Sequence, residues 1–143
     1  MRTSHSTLAT VILALSACTA CTLPTMFQHA STMSVSPDVP AASGQVKFGK
    51  AGNGNTSIDL MVKYLADPQK LQPPAAVYVA WVSADKDSPA QNIGALMVND
   101  QREGTLKTVT ALHDFRLFVT AEAGGQVQTP TGTQLLWIDH ASE

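Results

Sequence analysis

Cysteine is nearly absent: Cys18 and Cys21 are the two in 143 residues, and both lie close to the N-terminus. Everything beyond residue 21 therefore lacks the thiols for an internal disulfide and must be held together by its apolar core. Charge is sparse as well. Nine Lys and Arg against eleven Asp and Glu give a formal net charge of −2, with no basic cluster. Such a balance argues against nucleic-acid binding, which depends on cations neutralising phosphates, and offers no electrostatic grip on an anionic bilayer. Long apolar runs are missing too: Leu8–Ala17, ten residues, falls far short of the roughly 20 that span a membrane as a helix.

That short run is the most informative stretch of the chain. It ends in Leu15-Ser16-Ala17-Cys18, which resembles the lipobox of a bacterial lipoprotein, preceded by an apolar core of signal-peptide length. The resemblance implies that residues 1–17 are removed and that Cys18 becomes the lipidated first residue, so any membrane attachment comes through the lipid on Cys18. Ordinary secretion with cleavage after Ala20 is the alternative. The leading segment is weakly basic, with Arg2 its one fixed positive charge. Thr19, rather than Asp, follows the lipid cysteine; by resemblance to lipoprotein sorting this favours the outer membrane where a cell has one.

Residues 18–43 are rich in Ser, Thr, Pro and Ala, with Asp38 the only charge and no hydrophobic period. This composition reads as a flexible tether, about 28 Å long as a random coil. Met26, His29 and Met33 within it are weak soft-metal ligands with no second cluster, and no metal or cofactor is expected from them.

From Gly44 to Glu143 the pattern becomes short alternating runs separated by turn residues, the signature of an all-β domain. Seven strands are expected: Gln45–Lys50, Ser57–Leu65, Ala76–Val82, Asn92–Val98, Thr105–Thr110, Phe115–Ala121 and Thr133–Asp139. Ser57–Leu65 is the cleanest, with Ile58, Leu60, Val62 and Tyr64 expected inward. The prolines at 68, 73 and 74 forbid ladder pairing, so that connection is expected to cross between sheets. Strand number and spacing point to an immunoglobulin-like two-sheet antiparallel sandwich, with Trp81 as the core tryptophan of the third strand. A small barrel is the other architecture compatible with the pattern.

The stretch Val119-Thr120-Ala121-Glu122-Ala123-Gly124-Gly125, continuing to Pro130-Thr131-Gly132, resembles the extracytoplasmic domain of anti-sigma-K-type factors. There a strand ending in Val-Thr-x-Glu leads into a Gly-Gly turn and a Pro-Thr-Gly segment. Tyr78-Val79-Ala80-Trp81 followed by Ile93-Gly94 looks like that family's Tyr-x-x-Trp strand and next hairpin. The match runs over roughly residues 76–136 and implies a sandwich outside the cytoplasm. It departs from the family in lacking the cytoplasmic sigma-binding domain and membrane helix ahead of the module, so anti-sigma activity is not implied.

Catalytic chemistry has little to stand on. No Gly-x-Ser-x-Gly occurs, and His113 beside Asp114 reads as a turn rather than part of a triad. Asp85-Lys86-Asp87-Ser88 lacks the glycine and glutamate of a calcium loop. Asn55-Thr56-Ser57 fits the glycosylation acceptor pattern. A non-enzymatic envelope protein is therefore expected. Its candidate contact surface for a protein partner is Glu122, Gly124, Gly125, Pro130, Thr131 and Gly132, with the glycines expected to turn through positive φ. The same Glu122 is a natural cap for the turn's amides. The competing expectation is a glycan or small-ligand module that stacks its ligand on Tyr78 or Trp81, which requires an exposed ring.

Overall fold

A computed structural model describes residues 29–142. The signal segment, Cys18, Cys21 and Met26 lie outside the described residues. Ten strands form two antiparallel sheets and, among the described residues, no α-helix occurs. In chain order the strands are β1 (Ser31–Thr32), β2 (Ser34–Val35), β3 (Ser43–Lys50), β4 (Thr56–Lys63), β5 (Val77–Ser83), β6 (Gln91–Ala95), β7 (Met97–Val98), β8 (Gly104–Thr110), β9 (Phe115–Glu122) and β10 (Leu136–His140). The first sheet runs β1-β3-β4-β8-β7 and the second β2-β10-β9-β5-β6. The hairpin strands are thus distributed as in an immunoglobulin domain, two hairpins contributing to each sheet in the ABED and GFC pattern. The expected sandwich is the observed one.

The alternation of each strand decides what fills the space between the sheets. Val46, Ile58, Leu60 and Val62 from the first sheet meet Tyr78, Ala80, Val82, Leu117, Val119 and Leu136 from the second, all buried. The connection after β4 crosses from the first sheet to the second, as expected. The Ala51–Asn55 turn uses positive φ at Asn53 (61°) and Gly54 (78°).

Three local expectations are corrected. First, the supposed tether is structured from residue 31 onward. Thr32 pairs with Gln45 in one sheet and Val35 with Leu136 in the other, so this short segment spans both sheets. Met33 between the two pairs, then Val39 and Ala42, are buried in the core, and Met33 N–H donates to Gly44 O at 2.9 Å. A polar average concealed a few apolar plugs, and β pairing supplies the hydrogen bonds that composition cannot reveal.

Second, Asn92–Val98 is two strands. The chain leaves the second sheet after Ala95 and enters the first at Met97, with Leu96 turned into the core and its N–H given to Tyr78 O at 2.9 Å. A register shift opposite Ala80/Trp81 and Gly94 at φ 133° produce the twist, as bulges at sheet edges do. Third, Tyr64 does not point inward. Its φ of 58° ends the alternation, leaving its ring 66% exposed and Leu65 buried instead.

Candidate functional site

The outer face of the second sheet carries the feature that composition alone does not foretell. Val79, Trp81 and Phe118 form a second apolar cluster there, packed with Val77, Ala90, Val127 and Trp137. Trp137, Phe118 and Trp81 lie side by side across β10, β9 and β5, the last two stacked with centroids 6.5 Å apart. Trp81 is fully buried, but it is not the tryptophan of the inter-sheet core. Tyr78, three residues earlier and therefore on the opposite face, takes that place.

What buries an outward-facing tryptophan is the β9–β10 connection. Glu122, the last residue of β9, is 1% exposed, and its carboxylate gathers four donors. Thr120 Oγ1 donates to Oε1 at 2.5 Å, Thr131 N–H at 3.0 Å and Gly132 N–H at 3.2 Å, while the Thr131 hydroxyl donates to Oε2. Thr120 Oγ1 in turn accepts the indole N–H of Trp81 at 2.9 Å. One chain of hydrogen bonds therefore ties the tryptophan, the strand end and the far side of the loop together. Burial pushes the Glu122 carboxyl up, but these donors outweigh it and hold it below the usual carboxylate range, as hydrogen bonds to the ionised form do. The loop is fastened on its other flank by Asn92 of β6, whose side-chain amide donates to Gly125 O at 3.1 Å and Val127 O at 2.8 Å.

This geometry sorts the six expected contact residues. Glu122 is interior and acts as a brace. Gly132 is structural as well: a Cβ there would lie 2.5 Å from Ala121 O, so the loop closes onto β9 only without a side chain. Gly124 and Gly125 do not turn through positive φ, contrary to expectation, and a Cβ on Gly124 would meet open space. The turn is set by its end anchors, so glycine's backbone freedom is not what shapes it. Thr131 is exposed on its outer side, Pro130 partly so, and Ala123, Gln126, Gln128 and Thr129 are the exposed positions between. Beside Gln126 and Gln128 an open groove of about 550 Å³ runs along the edge strand, lined by Gln91, Asn92 and Gly94. Asn92 and Gln126 were not singled out from sequence; only the Asn92 contacts, across more than thirty positions, mark them.

Neither aromatic ring proposed as a stacking surface is accessible. Trp81 and Tyr78 are both 0% exposed. Tyr78 donates its hydroxyl to Ala66 O at 2.8 Å, and burial, with Asp67 nearby, raises its phenol above the ordinary range. At the other end of the molecule, Asp114 accepts from Ser142 N–H at 2.8 Å and from its hydroxyl at 3.0 Å, so the serine hydroxyl goes straight to the carboxylate with no imidazole between. Among the described residues no three His, Cys, Asp or Glu side chains come together as ligands of one metal ion. Asp85 closes its own loop, accepting from Asp87 and Ser88 N–H, each at 2.8 Å.

Fold and site together define an all-β two-sheet sandwich with a braced connecting loop over one outer face. Comparison with known families, curated proteins and solved structures returns no match.

Proposed function

We propose that this chain is a lipid-anchored bacterial envelope protein, held through Cys18 and non-enzymatic, whose sandwich presents the Glu122–Gly132 loop to a protein partner. The carrying observation is the loop's bracing: Glu122 fixes its base and Asn92 its flank, leaving an uncharged rim of Gln126, Gln128 and Thr129 facing outward. A loop ordered in advance loses little conformational freedom on binding, which is how rigid scaffolds make recognition surfaces. The burial of Tyr78 and Trp81 removes the residues on which the glycan-stacking alternative depended. The lipobox resemblance supports export and anchoring, and sensing or assembly in the envelope is the role such a module fits.

The test is crosslinking of the full-length lipidated protein in intact cells, with adducts identified by mass. A single dominant protein adduct is expected, lost in a Gln126→Arg/Gln128→Glu variant of unchanged stability. An adduct pattern indifferent to both changes overturns the loop as contact, and a Cys18→Ser chain that remains membrane-bound overturns the anchor.

A further inference from the structure

The end of the sandwich opposite the braced loop holds a second feature. An open cleft of about 930 Å³ lies between the β3–β4 hairpin, the β8–β9 turn, the start of β1 and the chain beyond β10. His29, His113 and His140 all line it, and these are all the histidines of the described residues. Three distant parts of the chain thus bring their imidazoles to one place, where Lys50 joins them. Among the described residues, no Asp or Glu side chain lines the cleft.

Of the acids nearby, Asp139 is paired with a cation, while Asp114 stays ionised beside the imidazoles. Asp114, which faces His113 and His140, is taken up by Ser142. On the far side of His140, Asp139 is held by Arg116 in a two-pronged pair at 2.7 and 2.9 Å, and Asp85 and Lys86 of the β5–β6 loop complete the charged surroundings. One wall is aromatic: the His140 ring stacks on Phe48 at 4.0 Å, with Phe115 tilted against it at 5.1 Å. Among the described residues, no three His, Cys, Asp or Glu side chains here come together as ligands of one metal ion.

We infer that this cleft is a binding site for a phosphate-bearing ligand, with Lys50, His113 and His29 as donors to the anion and the Phe48–His140 pair as a surface for the body that carries it. Lysine serves as a point charge for phosphate, and imidazole N–H groups supply further hydrogen-bond donors beside it. The inference is independent of the loop's proposed role, since the two features occupy opposite ends of the fold.

The experiment is a titration of the full-length protein in neutral detergent with inorganic phosphate and with phenyl phosphate, following the histidine ring signals by NMR at pH 5.5 and 7.5. Sodium chloride at matched ionic strength is the control. Saturable shifts of His113 and His140 are expected at both pH values. Phenyl phosphate is expected to bind more tightly than phosphate. Lys50→Gln and His113→Gln, both at exposed positions, are each expected to weaken binding several-fold without altering the unfolding midpoint. Shifts that do not saturate, that chloride reproduces, or that survive both substitutions overturn the site. Vesicles of phosphatidic acid against phosphatidylcholine separate the sources of phosphate: retention on the former alone assigns a lipid headgroup, and free-phosphate shifts without it assign a soluble ligand.

Discussion

Replacing Glu122 tests the brace directly. In Glu122→Gln the side-chain oxygen can stay where Oε1 stands and still accept from Thr120, Thr131 N–H and Gly132 N–H, while the new amide faces the Thr131 hydroxyl, which rotates to accept. The Thr131 hydroxyl proton loses its acceptor, the Thr131 N–H keeps only the Oε1 half of its bifurcated bond, and the ionised character of the acceptor is lost. A charge-assisted hydrogen bond contributes about 1 kcal/mol more than a neutral one, and part of that gain is offset by desolvating the carboxylate, so Glu122→Gln should cost about 1–2 kcal/mol at pH 7. Glu122→Ala is a different perturbation. It strands two backbone N–H groups and two hydroxyls beneath the loop, for a cost of about 3–4 kcal/mol, and it unfastens the cover over Trp81.

The pH dependence separates these effects. The folded carboxyl titrates below its ordinary value of 4.5, so its contribution is fully present above that value and is lost as the pH falls through the lower folded pKa. The gap between wild type and Glu122→Gln should therefore close on acidification below pH 4.5, whereas the gap to Glu122→Ala should largely persist. Urea unfolding followed by tryptophan emission at pH 7 and at successive acid steps measures both. A Gln gap that is absent at pH 7, or that stays constant as the pH falls, would refute the idea that an ionised, donor-saturated Glu122 holds the loop.

Three further outcomes follow from named contacts. Gly132→Ala, whose Cβ would press on Ala121 O, should cost about 2–3 kcal/mol, while Gly124→Ala, facing open space, should stay within about 0.5 kcal/mol, as denaturation midpoints will show. Thr120→Val removes the acceptor of the Trp81 indole N–H and a donor to Glu122. It should cost about 1–3 kcal/mol; in a Trp137→Phe background, where Trp81 alone emits, the wild-type Thr120 chain should resist acrylamide and the valine variant should be quenched more readily. A chain beginning at residue 44 lacks Met33, Val39 and Ala42 and should be less stable than one beginning at residue 29 by about 3–5 kcal/mol. Equal urea midpoints would remove residues 31–43 from the fold.

The two proposed surfaces divide the molecule by its ends. The β9–β10 loop and the histidine cleft are separated by the length of the strands, so a ligand in one touches nothing that a partner on the other would touch. Any influence between them would pass through β9 and β10, which contribute Phe115 and His140 at one end and Glu122 at the other.

Much of the fold was legible in the amino-acid order because it depends on short-range periodicity. Ile58, Leu60 and Val62 alternate with Asp59 and Met61, and a half-buried strand needs little more than that. Proline at 68, 73 and 74 forbids pairing whatever the surroundings, so the crossover between sheets was equally plain. Sequence also showed that Glu122 suits a capping role, since a carboxylate just before a turn finds amide donors locally.

What only the tertiary structure decided concerns partners distant along the chain. Trp81 sits on a strand apolar on both faces, and the pattern does not say which face looks into the sandwich; a loop some forty residues later covers the outer one. The polar composition of residues 31–43 gave no sign of pairing, because backbone hydrogen bonds to β3 and β10 and three buried plugs outweigh the average. The switch at Leu96 and the outward turn of Tyr64 arise from backbone torsion, to which hydropathy is blind. Three histidines at positions 29, 113 and 140 have no common spacing; only the closing of the sandwich brings them to one cleft. Local chemistry determined which segments extend and where they stop, while burial and long-range contact determined which surfaces they hide and which they leave open.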